Sequence, residues 1–247
     1  IQESIRDVHS SLAVLIENPA WRLIEALKTL RNKDGKILID NWYKEVDNFT
    51  KEELGVIASE PFDEKSFKQE YGIKKFVGNK KGIDIRKAVV GDPTCNIAGF
   101  TSGWEGLGAK TVLPSKALVK IDFRLVPKMD PLKQLSRLKE HLRKKGFADV
   151  QVKMIHGEAA SRTKISDPFV KIVKKSANES FGTSIVSVSS AGTGPMHSFF
   201  KILKAPCISV GSTYIYSRIH SPNEFARIDL LKKTTKCICK IMKNFSR

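Results

Sequence analysis

Two rhythms of apolar and polar positions run through this chain. A period of two predicts strands and a period near 3.6 predicts helices. Asp7-Val8-His9 opens an expected strand that continues through Leu12 to Ile16. Asn18-Pro19 predicts a helix start, with Asn as N-cap and Pro in the first turn, where its missing N–H costs little. Leu23, Ile24, Leu27 and Leu30 form that helix's apolar stripe. Asp34-Gly35 marks a turn before an expected strand from Lys36 to Asp40. Thr50-Lys51-Glu52-Glu53 has capping-box spacing and predicts a second, shorter helix. Residues 60–95 carry little pattern and receive no element.

The next unit reads more clearly. Ala117, Val119, Ile121, Phe123 and Leu125 alternate with neighbours that turn polar toward the end, which predicts a strand. Asp130-Pro131 starts a helix with Leu132, Leu135, Leu138 and Leu142 inward and Gly146 past its end. Val150, Val152 and Met154 mark another strand. The expected fold class is α/β: a β-sheet with helices on one face, spanning residues 1–158. From 159 the pattern restarts: Asp167-Pro168 caps a helix ending at Gly182, and strands are expected at 185–188 and 205–210. Gly192-Thr193-Gly194-Pro195 turns into a short helix between those strands. A long last helix, Ile228 to Phe245, repeats Leu231, Thr234, Ile238, Ile241 and Phe245. Two or three strands are few for an independent doubly wound sheet, so 159–247 reads as the closing part of a larger α/β domain.

Composition adds bounds. The 247 residues are 41% hydrophobic and 28% charged, a globular balance with no run long enough for a membrane span. The net charge of +17 invites a nucleic-acid reading, but the lysines are scattered and no aromatic RNA-binding motif or basic arm occurs. A solvated lysine-rich surface is the expectation. Four cysteines lack metal-type spacing and read as free thiols in a reducing cytoplasm. Ile1 is not an initiator Met, and the chain reads as entered partway through.

Chemistry must come from few residues. There are five histidines, none in an HExxH or H-x-D pair, and no nucleophile elbow, P-loop or G-x-G-x-x-G. His141, on the leucine-striped helix, and His197, at a helix start, read as structural. His220 lies in Ser217-Arg218-Ile219-His220-Ser221-Pro222-Asn223-Glu224, a loop between a strand end and a helix. It suits a metal ligand with Glu224 as its orienter, and a capping loop explains it equally well.

His220-Ser221-Pro222-Asn223-Glu224 resembles the C-terminal metal-ligand motif of the M20 metallopeptidases. Asp7-Val8-His9-Ser10 and Asn18-Pro19-Ala20 resemble the family's D-x-H-S and N-P-A segments. Gly108-Ala109-Lys110-Thr111-Val112-Leu113-Pro114 and Phe123-Arg124-Leu125-Val126-Pro127 resemble its lid signature, and Ala191-Gly192-Thr193-Gly194-Pro195 stands where the family has G-G-S-x-P. The matches run in family order from residue 7 to 224 and look most like the dipeptidase branch.

The resemblance implies a lid, 1–158, that makes a homodimer, and a C-terminal segment, 159–247, of a catalytic domain holding two zinc ions that hydrolyses a peptide or dipeptide near a free carboxylate. It makes His220 a metal ligand and His9 the oxyanion donor in the partner subunit's site. Thr111, Arg124 and Thr193 would hold substrate, Gly192 would let it approach, and His156 would be a further contact. The family's H-x-D pair, bridging Asp and Glu-Glu pair have no counterpart here, so this chain alone is expected to be inactive, with a missing N-terminal half as partner. The alternative is a non-catalytic dimerisation or peptide-binding module.

Overall fold

The computed structural model describes residues 1–214 and 216–246. Their elements are β1 (Val8–His9), α1 (Pro19–Lys28), α2 (Lys51–Ser59), α3 (Glu64–Glu70), α4 (Ile83–Gly91), β2 (Thr94–Ser102), β3 (Val112–Leu113), β4 (Ala117–Arg124), α5 (Pro131–Lys144), α6 (Pro168–Phe181), α7 (Met196–Leu203) and α8 (Ile228–Phe245). The chain forms an α/β structure in two compact units. Unit 1 comprises 1–47, 77–79 and 92–160; unit 2 comprises 48–76, 80–91 and 161–247. Residues 48–76 and 80–91 therefore cluster with the C-terminal residues, although 1–47 and 92–160 flank them in sequence.

Unit 1 is built on two antiparallel pairs, β1 with β3 and β2 with β4. Its core joins Ala26 and Leu30, Ile37, Ile39 and Trp42, Leu138 and Leu142 of α5, and Phe123 of β4. Both helices start as expected: Asn18 Oδ1 accepts from the Ala20 N–H at 2.9 Å, and Asp130 Oδ1 from the Lys133 N–H at 2.9 Å. The inward seam of α5 differs from expectation. Leu138 and Leu142 are buried as expected, but Leu132 is 68% exposed, and Gln134 and His141 join the buried side.

Several expected strands are corrected. After His9 the chain enters a 3-10 helix, Ser10–Val14, so the first strand is two residues long. Lys36–Asp40 forms no strand: Ile37 and Ile39 alternate into the core, but Leu38 N–H donates back to the Leu30 carbonyl at 2.8 Å and Ile37 N–H to Tyr43 Oη at 2.9 Å. The segments 150–154, 185–188 and 205–210 likewise carry no assigned ladder. Val150, Val152 and Met154 alternate into partial burial without strand pairing, whereas 205–208 are part-buried without alternation and Ile185 is 58% exposed. Conversely, β2 escaped detection because its register shifts between Ile97 and Gly99, a bulge that breaks the alternation.

His141 is 2% exposed, and its Nε2 lies 3.1 Å from the Thr29 carbonyl and 3.0 Å from Thr29 Oγ1. Burial pushes its pKa below the ordinary histidine value, outweighing that hydrogen bond. The unfolded chain then takes up a proton before the folded one does, so this contribution holds above about pH 6.5 and is lost as pH falls below it. Urea midpoints should drop on acidification from pH 7 to 5, and less so in His141→Gln. An equal drop in both would remove His141 as the cause.

Unit 2 is mostly helical. Thr50 and Glu53 form the expected capping box on α2. Ile57 of α2, Val90 of α4 and Val188 share a small core. The helices α3 and α4 lie where no pattern was read. α6 pairs with α8 through Cys237, buried at 0% exposure, and Asn244 Nδ2 donates to Ser176 Oγ at 2.9 Å. The stripe expected on α8 splits in two. Thr234 and Ile241 are part-buried, whereas Leu231, Ile238 and Phe245 are 46–68% exposed, as is Met242 beside them.

Candidate functional site

In unit 1, His9 pairs with Val112 across the β1–β3 ladder, which sets Thr111 beside Ser10; the Ser10 N–H donates to the Thr111 carbonyl at 3.2 Å. Asp7 locks this corner. Its Oδ1 accepts the Ser115 N–H at 2.8 Å and the Ser115 hydroxyl at 2.9 Å. These bonds, the backbone one first, hold the Asp7 carboxyl below the usual carboxylate range. His9 caps the 3-10 turn: Nδ1 accepts from the Ser11 N–H at 3.2 Å, with Ser11 Oγ 2.8 Å away. An amide N–H can only donate, so Nδ1 is the acceptor and the ring proton of neutral His9 sits on Nε2. The exposed ring thus presents an N–H donor from a fixed base.

Arg124 closes β4 on the other strand pair, opposite Thr94. Its Nε donates to Asp122 Oδ2 at 2.9 Å, and both side chains are nearly half exposed. A carboxylate therefore already sits on the guanidinium, and an incoming one would displace or share it. His156 is exposed, in the irregular stretch after α5.

In unit 2, Gly192 and Thr193 lie in the exposed loop leading into α7, where the Gly192 N–H donates to Ser190 Oγ at 3.2 Å. The His220 loop is contorted. Arg218, His220 and Asn223 have φ of 58°, 62° and 62°, left-handed values that cost strain in a non-glycine residue. Glu224 shapes the turn: its Oε2 accepts the backbone N–H of His220 at 3.3 Å.

Among the described residues no group of three or more His, Cys, Asp or Glu could hold a metal. Catalytic zinc takes about three protein ligands. One histidine does not meet that need, so the described residues alone do not form a catalytic zinc site. The cysteines are free thiols, and burial pushes Cys95 up to about 11, far from a reactive thiolate. No helix among the described residues is long and apolar enough to cross a membrane.

A family model described as a peptidase dimerisation domain matches residues 1–150. An M20 family metallo-carboxypeptidase structure from Sulfolobus solfataricus superposes with a TM-score of 0.89 and 35% identity, covering 99% of this chain and 56% of that one. The Cys-Gly metallodipeptidase of Saccharomyces cerevisiae is 29% identical over 172 residues, 66% of this chain and 34% of that protein. The human Beta-Ala-His dipeptidase is 24% identical over 226 residues, 89% of this chain and 44% of that protein. The chain thus spans less than half the length of the curated relatives it matches.

Proposed function

The chain belongs to the M20 metallopeptidase family, a family of hydrolases, and we propose that it supplies the substrate-gripping side of a two-zinc dipeptidase or carboxypeptidase site. In this reading residues 1–158 are the lid and dimerisation domain, and 159–247 are part of the catalytic domain. His220 is one metal ligand, and the other ligands come from a polypeptide beyond these residues. Zinc bound there would polarise the scissile carbonyl. His9 Nε2–H donates to the oxyanion in the partner subunit of a homodimer. Thr111, Thr193 and His156 contact the peptide, Gly192 lets its backbone come close, and Arg124 takes the terminal carboxylate.

The observation that carries the proposal is His9. Its Nδ1 is engaged by the Ser11 N–H, leaving one directed donor on an exposed rim. The chain alone, given zinc, should hydrolyse no dipeptide. A fusion adding the portion of the Sulfolobus carboxypeptidase outside the match should bind zinc and turn over. Dipeptide turnover by the chain alone would sink the shared-site reading.

In that assembled enzyme Arg124→Ala should raise KM about 10- to 100-fold with kcat little changed, the effect of losing a charge-assisted hydrogen bond. Steady-state kinetics on a peptide and its C-terminal amide checks this. The wild type should discriminate between them and the variant should not.

A further inference from the structure

β2 (Thr94–Ser102) is the open edge of its sheet. It pairs with β4 from Thr94 opposite Arg124 to Ser102 opposite Ala117, and among the described residues no other strand joins it. The far edge of β4 is covered at its start: the Ala117 N–H donates to the Ile1 carbonyl at 3.0 Å, and the Ile1 amino group donates to the Ala117 carbonyl at 3.0 Å. An open edge presents a row of N–H and C=O groups that recruits another strand, and proteins blunt such edges with charges, proline or very short strands. β2 has nine residues, no charged side chain and no proline, in a chain that is 28% charged. Its bulge between Ile97 and Gly99 bends the strand but leaves four paired residues on either side.

The side chains repeat the pattern. Cys95, Ile97 and Phe100 stand opposite Phe123, Ile121 and Val119, on the sheet face that meets the core. Cys95 is half-buried there, but Ile97 is 52% exposed and Phe100 41%. The layer covering this face therefore stops short of the β2 edge. The missing cover must suit an uncharged seam. An acidic partner would be met by lysines, and β2 has none. Two copies of a chain with net charge +17 repel each other unless the seam between them is neutral, as this one is. β2 also lies within residues 1–150, which match the dimerisation-domain model.

We propose that β2 pairs antiparallel with β2 of a second copy across a twofold axis, joining two hairpins into one four-stranded sheet. A register centred between Ala98 and Gly99 sets Ile97 of each copy beside Phe100 of the other, so each covers the apolar side chain the other leaves bare. This rests on the homodimer part of the reading above and adds the surface that makes the dimer.

The test is the mass of the 247-residue chain by sedimentation equilibrium, with amide exchange followed by NMR. The wild type should show the mass of two copies. The double variant Ile97→Lys, Phe100→Lys puts like charges on the seam at positions already exposed. It should keep the far-UV circular dichroism of the wild type and dimerise at least about 100-fold more weakly. In the wild type, β2 amides pointing away from β4 should exchange slowly in the dimer and rapidly on dilution, while those bonded to β4 should not respond to dilution. A single-copy mass for the wild type would overturn the seam together with the homodimer. A dimer that survives in the double variant, or outward amides indifferent to dilution, would overturn the seam alone. If the double variant fails to fold, amide exchange in the wild type decides. The zinc-site reading is tested separately, by turnover in the fusion.

Discussion

His9→Ala should lower kcat about 10²- to 10³-fold in the assembled peptidase, with KM changed little, because an oxyanion donor acts on charge that appears only in the transition state. The structure makes this sharper than a generic histidine deletion. The Ser11 N–H occupies Nδ1, so the ring offers Nε2–H and nothing else. A general-base role through Nε2 would need the opposite tautomer, at the cost of the Ser11 bond. His9→Gln, whose amide can place a donor near the same spot, should recover part of the loss. Steady-state kinetics on the two variants and wild type gives the comparison. A fall in kcat below about fivefold for His9→Ala, or a change confined to KM, would remove His9 from the chemistry.

Trp42→Ala should have the largest effect on stability, about 3–5 kcal/mol. Trp42 sits at the meeting point of unit 1: its ring stacks at 4.9 Å from Phe123 of β4, and its carbonyl receives Gln134 of α5. Removing the ring strips apolar contact from strand and helix together. Against a typical total of about 5–15 kcal/mol, the loss is a large fraction. Trp42→Phe should cost much less, since it keeps an aromatic ring and discards a buried indole N–H that has no partner among the described residues. Urea unfolding followed by far-UV circular dichroism measures both. A loss under about 1 kcal/mol for Trp42→Ala would mean the core does not hinge on this residue.

Local chemistry was legible where one residue decides it. Asn18-Pro19, Thr50 with Glu53, Asp130-Pro131 and Asp167-Pro168 each start the helix they announce. The α/β class followed from the alternation of strand and helix periods, and the family from motif order. Strands were less legible, because period-two burial and ladder formation are different events. Ile39 obeys the first without the second, and Ile37 adds only an isolated bridge to Arg31. The bulge in β2 hid a real strand by the reverse mechanism. At the site, the residue types were legible from the motifs, but the pairing of His9 with Val112, which sets Thr111 beside Ser10, was not. The tautomer of His9, the ion pair holding Arg124 and the backbone role of Glu224 depend on hydrogen bonds that no spacing rule encodes.

The two-faced α8 has a consequence for how this sequence can drift. One side of the helix is committed to α6, including Phe245 against Phe169, and a second carries Leu231, Ile238 and Met242. Substitution is cheapest in the remaining sector, where the exposed Lys232, Lys236 and Lys243 lie. Among relatives, α8 should therefore vary along one narrow lysine-rich strip and hold its character around the rest of its circumference.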